Sequence, residues 1–252
     1  MSFDGTVVLV TGASRGIGRA VAQGFAALGA SVVVQYRADR AAADATVALL
    51  PPGRHLAAQA DVTHPGRVRR LVDQVLGEFG RIDVLVNNAG VYESHPILET
   101  GYEEWQRLWR RTLDTNLVGP ANLIHAVVPH MVRAGGGRIV NVSSRGAFRG
   151  EPDCPAYGAS KAGLNSLGQS LAQALAPHGV YVTTVAPGFV GTDMAAASLE
   201  GAGGDAIRAQ SPLQRVATAE EVARVVVFLA TPGTEYATGT IVDVNGASYL
   251  RS

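Results

Sequence analysis

The chain has 252 residues and 26.1 kDa, and its 21 Lys plus Arg are balanced by 21 Asp plus Glu. That balance leaves no basic footprint for nucleic acid, and the length suits a single α/β domain spanning 1–252 with a core of its own. Cys154 is the one cysteine, the opening MSFDGTVVLV has no basic residue before its apolar run, and no apolar stretch is long enough to cross a bilayer, so the expectation is a soluble cytoplasmic protein without membrane contact.

Short β-branched runs alternate with helical patterns from end to end. The first strand is expected at 6–10. It turns through TGASRGIG (11–18) into a helix on which Ile17, Val21, Phe25 and Leu28 recur at helical spacing. Further strands are expected at 31–36, 82–87, 138–143, 180–186 and 240–245, with a weaker one at 55–60. Most are apolar without alternation, as in strands covered on both faces. The rhythm predicts a doubly wound Rossmann-type fold, a seven-stranded and mainly parallel sheet with helices on both faces. AGGGR (134–138) reads as a turn, and AAASLEGAGG (195–204) as a mobile loop or lid within a substrate segment at about 193–212.

The turn after the first strand carries the first chemistry. Gly12, Gly16 and Gly18 permit a tight turn and close backbone approach, so that Ser14, Arg15, Gly16 and Ile17 present a phosphate to a helix N-terminus. The same residues match G-x-S-x-G, the nucleophile elbow of serine hydrolases, with Ser14 as nucleophile. That rival needs a downstream acid and then a histidine, yet none follows His178. At the end of the second strand an acid would bind a ribose hydroxyl. Tyr36 and Arg37 stand there instead, and Arg15 with Arg37 suits a 2′-phosphate, which points to NADP(H) over NAD(H). Asp39 is the nearby acid that keeps the point open.

The second chemistry lies in YGASK (157–161). Lys161 is the only lysine, and every other member of the Lys-plus-Arg set is arginine. A free phenol ionises near 10, and an acid/base working near 7 needs about 4 kcal/mol of extra phenolate stabilisation. A lysine four residues on shares the helix face of Tyr157 and supplies part of it with a compact charge that arginine's fork cannot place. The six histidines show no metal-ligand spacing, so no metal is expected, and packing accounts for them.

TGASRGIG, ADVT (60–63), NNAG (87–90), Asn116 in DTNLVG, VNVSS (140–144), YGASK and APGFVGTDM (186–194) occur in register, and together the chain resembles the short-chain dehydrogenase/reductase family, nearest its acyl-carrier-protein reductase branch. The resemblance implies Tyr157 as general acid/base, Lys161 as its partner, Ser144 on the substrate carbonyl and Asn116 on a water linked to the lysine. It implies Asp61 and Val62 at the adenine, and Asn88, Ala89 and Gly90 along the cofactor cleft. Pro187, Gly188, Val190 and Thr192 fall on the nicotinamide side. A non-catalytic Rossmann regulatory protein is the remaining alternative, and the intact set Asn116, Ser144, Tyr157 and Lys161 speaks against it.

The resemblance also implies a homotetramer or homodimer built on the Ala-, Gly- and Ser-rich helix at 155–177 and the segment around 103–131. In the carrier-protein branch, basic side chains are expected just before GRIV and before the glycine of HGV. This chain has Gly135, Gly136 and Gly137 at the first place and His178 at the second, so a small free ketone or a coenzyme-A-like thioester is expected to serve at least as well as a carrier-bound substrate.

Overall fold

The computed structural model describes residues 1–200 and 203–251. In chain order these are β1 (Val7–Val10), α1 (Gly16–Ala26), β2 (Ser31–Tyr36), α2 (Arg40–Ala48), β3 (His55–Gln59), α3 (Pro65–Phe79) and β4 (Val84–Asn87). Then come α4 (Tyr102–Leu113), a π-helical turn at Asp114–Val118, α5 (Gly119–Arg133), β5 (Gly137–Val142), the short α6 (Gly146–Arg149) and α7 (Pro155–Leu175). The chain continues through β6 (Val180–Pro187), α8 (Asp193–Glu200), α9 (Gly204–Ala209), α10 (Ala219–Leu229) and β7 (Ile241–Val244).

The seven strands form one sheet in the order β3-β2-β1-β4-β5-β6-β7. Every pairing is parallel, from Val10 beside Val34 and Val86 to Asn87 beside Asn141. The sheet is thus wholly rather than mainly parallel. Successive side chains on a strand point to opposite faces. Val8, Val10, Val32, Val34, Val84 and Val86 meet Val21 and Phe25 of α1 and Val222 and Val226 of α10 on one side. Leu9, Val33, Leu85, Ile139 and Val182 meet α3, α5 and α7 on the other. Two buried faces explain why the strands read as unbroken apolar runs. Phe25, Leu9, Leu71 and Met131 are among the largest fully buried side chains.

The winding reverses between β1 and β4, and the loops leaving the C-terminal ends of the strands there open a crevice suited to a ligand. Turns outside the crevice follow ordinary chemistry. α5 is followed by Gly135 and Gly136 at φ 91° and 139°, the turn expected from AGGGR. α7 passes through a 3₁₀ turn at Ala176–His178 and stops at Gly179, whose φ is 71°. The segment around 195–204 departs from the sequence expectation. Its residues 195–200 lie in α8 and residue 204 opens α9, while 201 and 202 lie outside the described residues. Alanine has the highest helix propensity, so a run of Ala closes a helix here despite the flanking Gly.

Candidate active site

The loop after β1 is built for close approach. Gly12 and Gly16 have φ of 61° and 54°. A Cβ on Gly18 would lie 2.3 Å from the Gly12 oxygen, and one on Gly12 would lie 3.0 Å from Cα of Ala89. The loop is pinned from two sides. The Thr11 hydroxyl accepts from the N–H groups of Asn88 (2.9 Å) and Ala89 (3.0 Å), while Asn88 Nδ2 donates to the Thr11 oxygen at 2.8 Å. On the other flank the buried Gln35 receives the Gly12 N–H at 2.9 Å and donates to the Ala60 oxygen at 2.7 Å. Helix α1 then begins without a side-chain cap or a first-turn acid, so its free N–H groups and positive dipole end face the turn.

One cavity of about 400 Å³ runs along these loops. Gly12, Ser14, Arg15, Gly16 and Ile17 line it after β1, Tyr36 and Arg37 after β2, and Asp61 and Val62 after β3. Asn88, Ala89 and Gly90 line it after β4, Ser144 after β5, Tyr157 and Lys161 from α7, and Pro187, Gly188, Val190 and Thr192 after β6. Gly18 and Asn116 stand behind its wall. The glycine cradle, the uncapped helix start and the two arginines fit a dinucleotide whose phosphates approach α1. At that end the Asp39 carboxylate is engaged in capping α2, accepting the Ala42 N–H at 2.9 Å. Arg37 is exposed beside it, and Arg15 lies 3.9 Å from Asp193 with both side chains largely in water.

Around Tyr157 the arrangement is drier. Lys161 is 4 % exposed and its Nζ donates to the Val142 oxygen at 2.8 Å, 5.7 Å from the centre of the Tyr157 ring. Burial lowers the ammonium from 10.5 to about 8. Burial raises the Tyr157 phenol to about 12, against the Ser144 hydroxyl, which favours the phenolate. The sequence argument has Lys161 pull the tyrosine down; here its Nζ turns to the Val142 oxygen and lies over the Tyr157 ring, with no hydrogen bond to the hydroxyl among the described residues. A desolvated ammonium takes the nearest strong acceptor, which is a backbone carbonyl. The Ser144 hydroxyl accepts the Gly146 N–H at 3.0 Å, and its neighbour Ser143 bonds the Lys161 oxygen instead.

Asn116 sits fully buried in the π-helical turn. Its amide clamps Val91 in both directions, accepting from the N–H at 2.9 Å and donating to the oxygen at 3.0 Å, and it also reaches Ser160 Oγ at 3.1 Å. Such one-turn π bulges are common at functional sites. One histidine near the cavity does more than pack. His95 is buried, its Nδ1 meets the Glu93 oxygen at 2.7 Å, and its Nε2 accepts the Ala156 N–H at 3.2 Å. It thereby satisfies an orphan donor in the first turn of α7, one residue before Tyr157.

Sequence reasoning missed Thr11, Gln35, Tyr92, Arg145, Glu151 and His95. The only signals were proximity: Tyr92 two residues past NNAG, and Glu151 six before Tyr157. Tyr92 packs edge-on against Tyr157, with centroids 4.9 Å apart and planes at 84°. Ser14 has no histidine hydrogen-bonded to its hydroxyl among the described residues, and burial pushes the Cys154 thiol up, so neither is an activated nucleophile.

A family model described as Enoyl-(Acyl carrier protein) reductase matches residues 12–247. The chain belongs to the short-chain dehydrogenase/reductase family, near its 3-oxoacyl-acyl-carrier-protein reductase branch, and is an oxidoreductase of that type. It is 42 % identical over 247 residues to the 3-oxoacyl-(acyl-carrier-protein) reductase of Synechocystis, covering 97 % of both chains. It is 38 % identical over 250 residues to the reductase FabG of Escherichia coli, covering 99 % of this chain and all of the other. A short-chain type dehydrogenase/reductase from Mycobacterium ulcerans superposes with a TM-score of 0.91 at 33 % identity, over 98 % of this chain and 91 % of that one. No helix among the described residues is long and apolar enough to cross a membrane.

The lysine gives a stability test. Its folded value lies below its unfolded one, so between about pH 8 and 10.5 the unfolded chain binds more protons and stability rises with pH. Relative to Lys161→Met, wild type should gain on the order of 3 kcal/mol across that window. Urea unfolding of both proteins at pH 7 and at pH 9.5 measures most of it, and a constant difference would contradict the buried-charge account.

Proposed function

We propose that this protein is an NADP(H)-dependent reductase of ketones, or dehydrogenase of the matching secondary alcohols, acting as one domain with the segment at 193–212 over the substrate. The observation that carries the reading is the meeting, in one cavity, of the glycine turn and α1 start with Ser144, Tyr157 and Lys161. A nicotinamide dinucleotide held there supplies or accepts the hydride. Ser144 orients the substrate carbonyl, its own oxygen fixed by the Gly146 N–H. Tyr157 delivers the proton to the carbonyl oxygen, and the apolar walls that raise its hydroxyl keep that proton in place until a substrate accepts it. Lys161 holds a positive charge between Val142 and the cavity, and Asn116 fixes the Val91 backbone beside Gly90.

Arg37, with Asp39 occupied in capping α2, supports selection of a 2′-phosphate. The relatives in Synechocystis and Escherichia coli are named for 3-oxoacyl chains on a carrier protein. Here Gly135, Gly136 and Gly137 and His178 at the expected docking positions favour a small free ketone or thioester used at least as well. The outward stripe of α7, with Ala159, Ala162, Ser166 and Ser170 exposed, supports a homodimer or homotetramer through close helix contact. A cytoplasmic location accords with the single free cysteine.

Tyr157→Phe should abolish NADPH oxidation with a ketone panel while NADPH still binds, and Lys161→Arg should be severely impaired although charge is kept. Wild-type rates in the arginine variant would refute the special role of the lysine. Charge-assisted phosphate contacts contribute about 1.5–3 kcal/mol each, so Arg37→Ala should weaken NADPH roughly tenfold or more and leave NADH unchanged, by titration of both nucleotides. Light scattering at micromolar concentration should give two or four copies, and a monomer would refute the assembly.

A further inference from the structure

The cavity has an end the reaction above does not use. Glu151 lies in the loop between α6 and α7 and lines the cavity together with Ser144, Arg145 and Phe189. Its side chain rests on Gly146. A Cβ there would come within 2.7 Å of Glu151 Oε1 and 2.8 Å of its Cγ, and the N–H of that same Gly146 holds the Ser144 hydroxyl. The carboxyl therefore lies one backbone unit from the residue assigned to the substrate carbonyl. Its charge reaches the hydroxyls of Tyr157 and Tyr92.

Among the described residues no side chain or backbone N–H donates a hydrogen bond to that carboxyl. Burial pushes it up, and the charges of Arg149 and Arg145 pull the other way from a distance. Both arginines are anchored elsewhere, on neutral groups. Arg145 is buried, stacks 5.0 Å from the Phe189 centroid, and donates to Gln210 Oε1 at 2.5 Å and Ser248 Oγ at 2.6 Å. Arg149 reaches the same Gln210 oxygen at 3.2 Å.

We propose that Glu151 is a specificity residue that accepts a hydrogen bond from a hydroxyl on the carbon next to the reacting carbonyl, so that hydroxyketones and their vicinal diols are the favoured substrate class. The proposal rests on the oxidoreductase reading and deepens it. A saturated acyl chain laid on this wall would strip water from the carboxyl and return no hydrogen bond. An ammonium would meet the two guanidiniums behind the carboxyl. A hydroxyl supplies the missing donor without adding charge. In the forward direction the carbonyl carbon takes the hydride and its oxygen takes the proton, and the neighbouring hydroxyl is unchanged.

The test compares kcat/KM for 1-hydroxybutan-2-one and butan-2-one, with NADPH, in wild type, Glu151→Gln and Glu151→Leu. The hydroxyl alters the intrinsic reactivity of the ketone equally for all three proteins, so the change in the ratio between proteins is the readout. A hydrogen bond to a charged group corresponds to roughly ten- to hundredfold. The leucine variant should lose that much of the ratio, through the KM of the hydroxyketone, while the plain ketone gains from the apolar wall. Glutamine still accepts and should retain most of the preference. Glu151→Ala serves the same comparison if the leucine variant does not fold. An unchanged ratio in the leucine or alanine variant, or an equal loss with both ketones, would overturn the assignment while leaving the reductase standing. Turnover of neither ketone by wild type would overturn the reductase reading, and this proposal with it.

Discussion

The hydroxyl of Thr11 accepts two backbone N–H groups from the loop after β4, and Asn88 returns a hydrogen bond to the loop after β1. These bonds cross the point where the sheet reverses its winding, so two loops that leave neighbouring strands behave as one piece. Gln35 extends the same bracing to β2 and to Ala60 beyond β3. The glycine turn owes its shape to this frame as much as to its glycines. Positive φ at Gly12 and Gly16 permits the turn, while Thr11 and Gln35 select it from the conformations glycine allows.

The second organising influence is dryness. Tyr157 and Lys161 are both moved toward their neutral forms by burial, in opposite directions on the pH scale. Burial is the largest cause of each shift. The clamps that hold the walls around them are distributed: Asn116 on Ser160 of α7 and on Val91, His95 on the first turn of α7, and Ser143 on the Lys161 oxygen. Each ties α7 or the strand beside it to a segment far away in sequence. Helix α7 is therefore placed by contacts at its first two turns, where the reactive side chains stand.

The legible part of the fold was the part written in local patterns. β2 and β6 announced themselves because burial on both faces favours β-branched and apolar residues along most of their length, and α1 because Val21 and Phe25 recur on one face. β3 was fainter since it lies at the sheet's edge and is only partly buried. The stretch around 195–204 misled because alanine and glycine pull in opposite directions and composition does not say which prevails. At the site, Tyr157 and Lys161 were legible from their spacing, whereas the bond from Lys161 to Val142 was not, since it joins a helix to a strand 19 residues away. Gln35 looked like an ordinary polar residue in a strand, and His95 acquires its role only when residue 156 folds onto it. Glu151 was invisible for the same reason, because no local pattern places its carboxyl against Gly146.

The solitary lysine has a chemical consequence beyond turnover. Apart from a chain-terminal amine, the protein carries one primary amine, and that amine is buried at the cavity with a basicity near 8. At mildly alkaline pH it carries a larger free-base fraction than an exposed lysine does. Acylating or reductively alkylating reagents therefore meet no competing ε-amine on the surface. Their rate of incorporation reads out how freely small molecules enter the cavity, and anything that occupies or closes it registers as protection at a single atom.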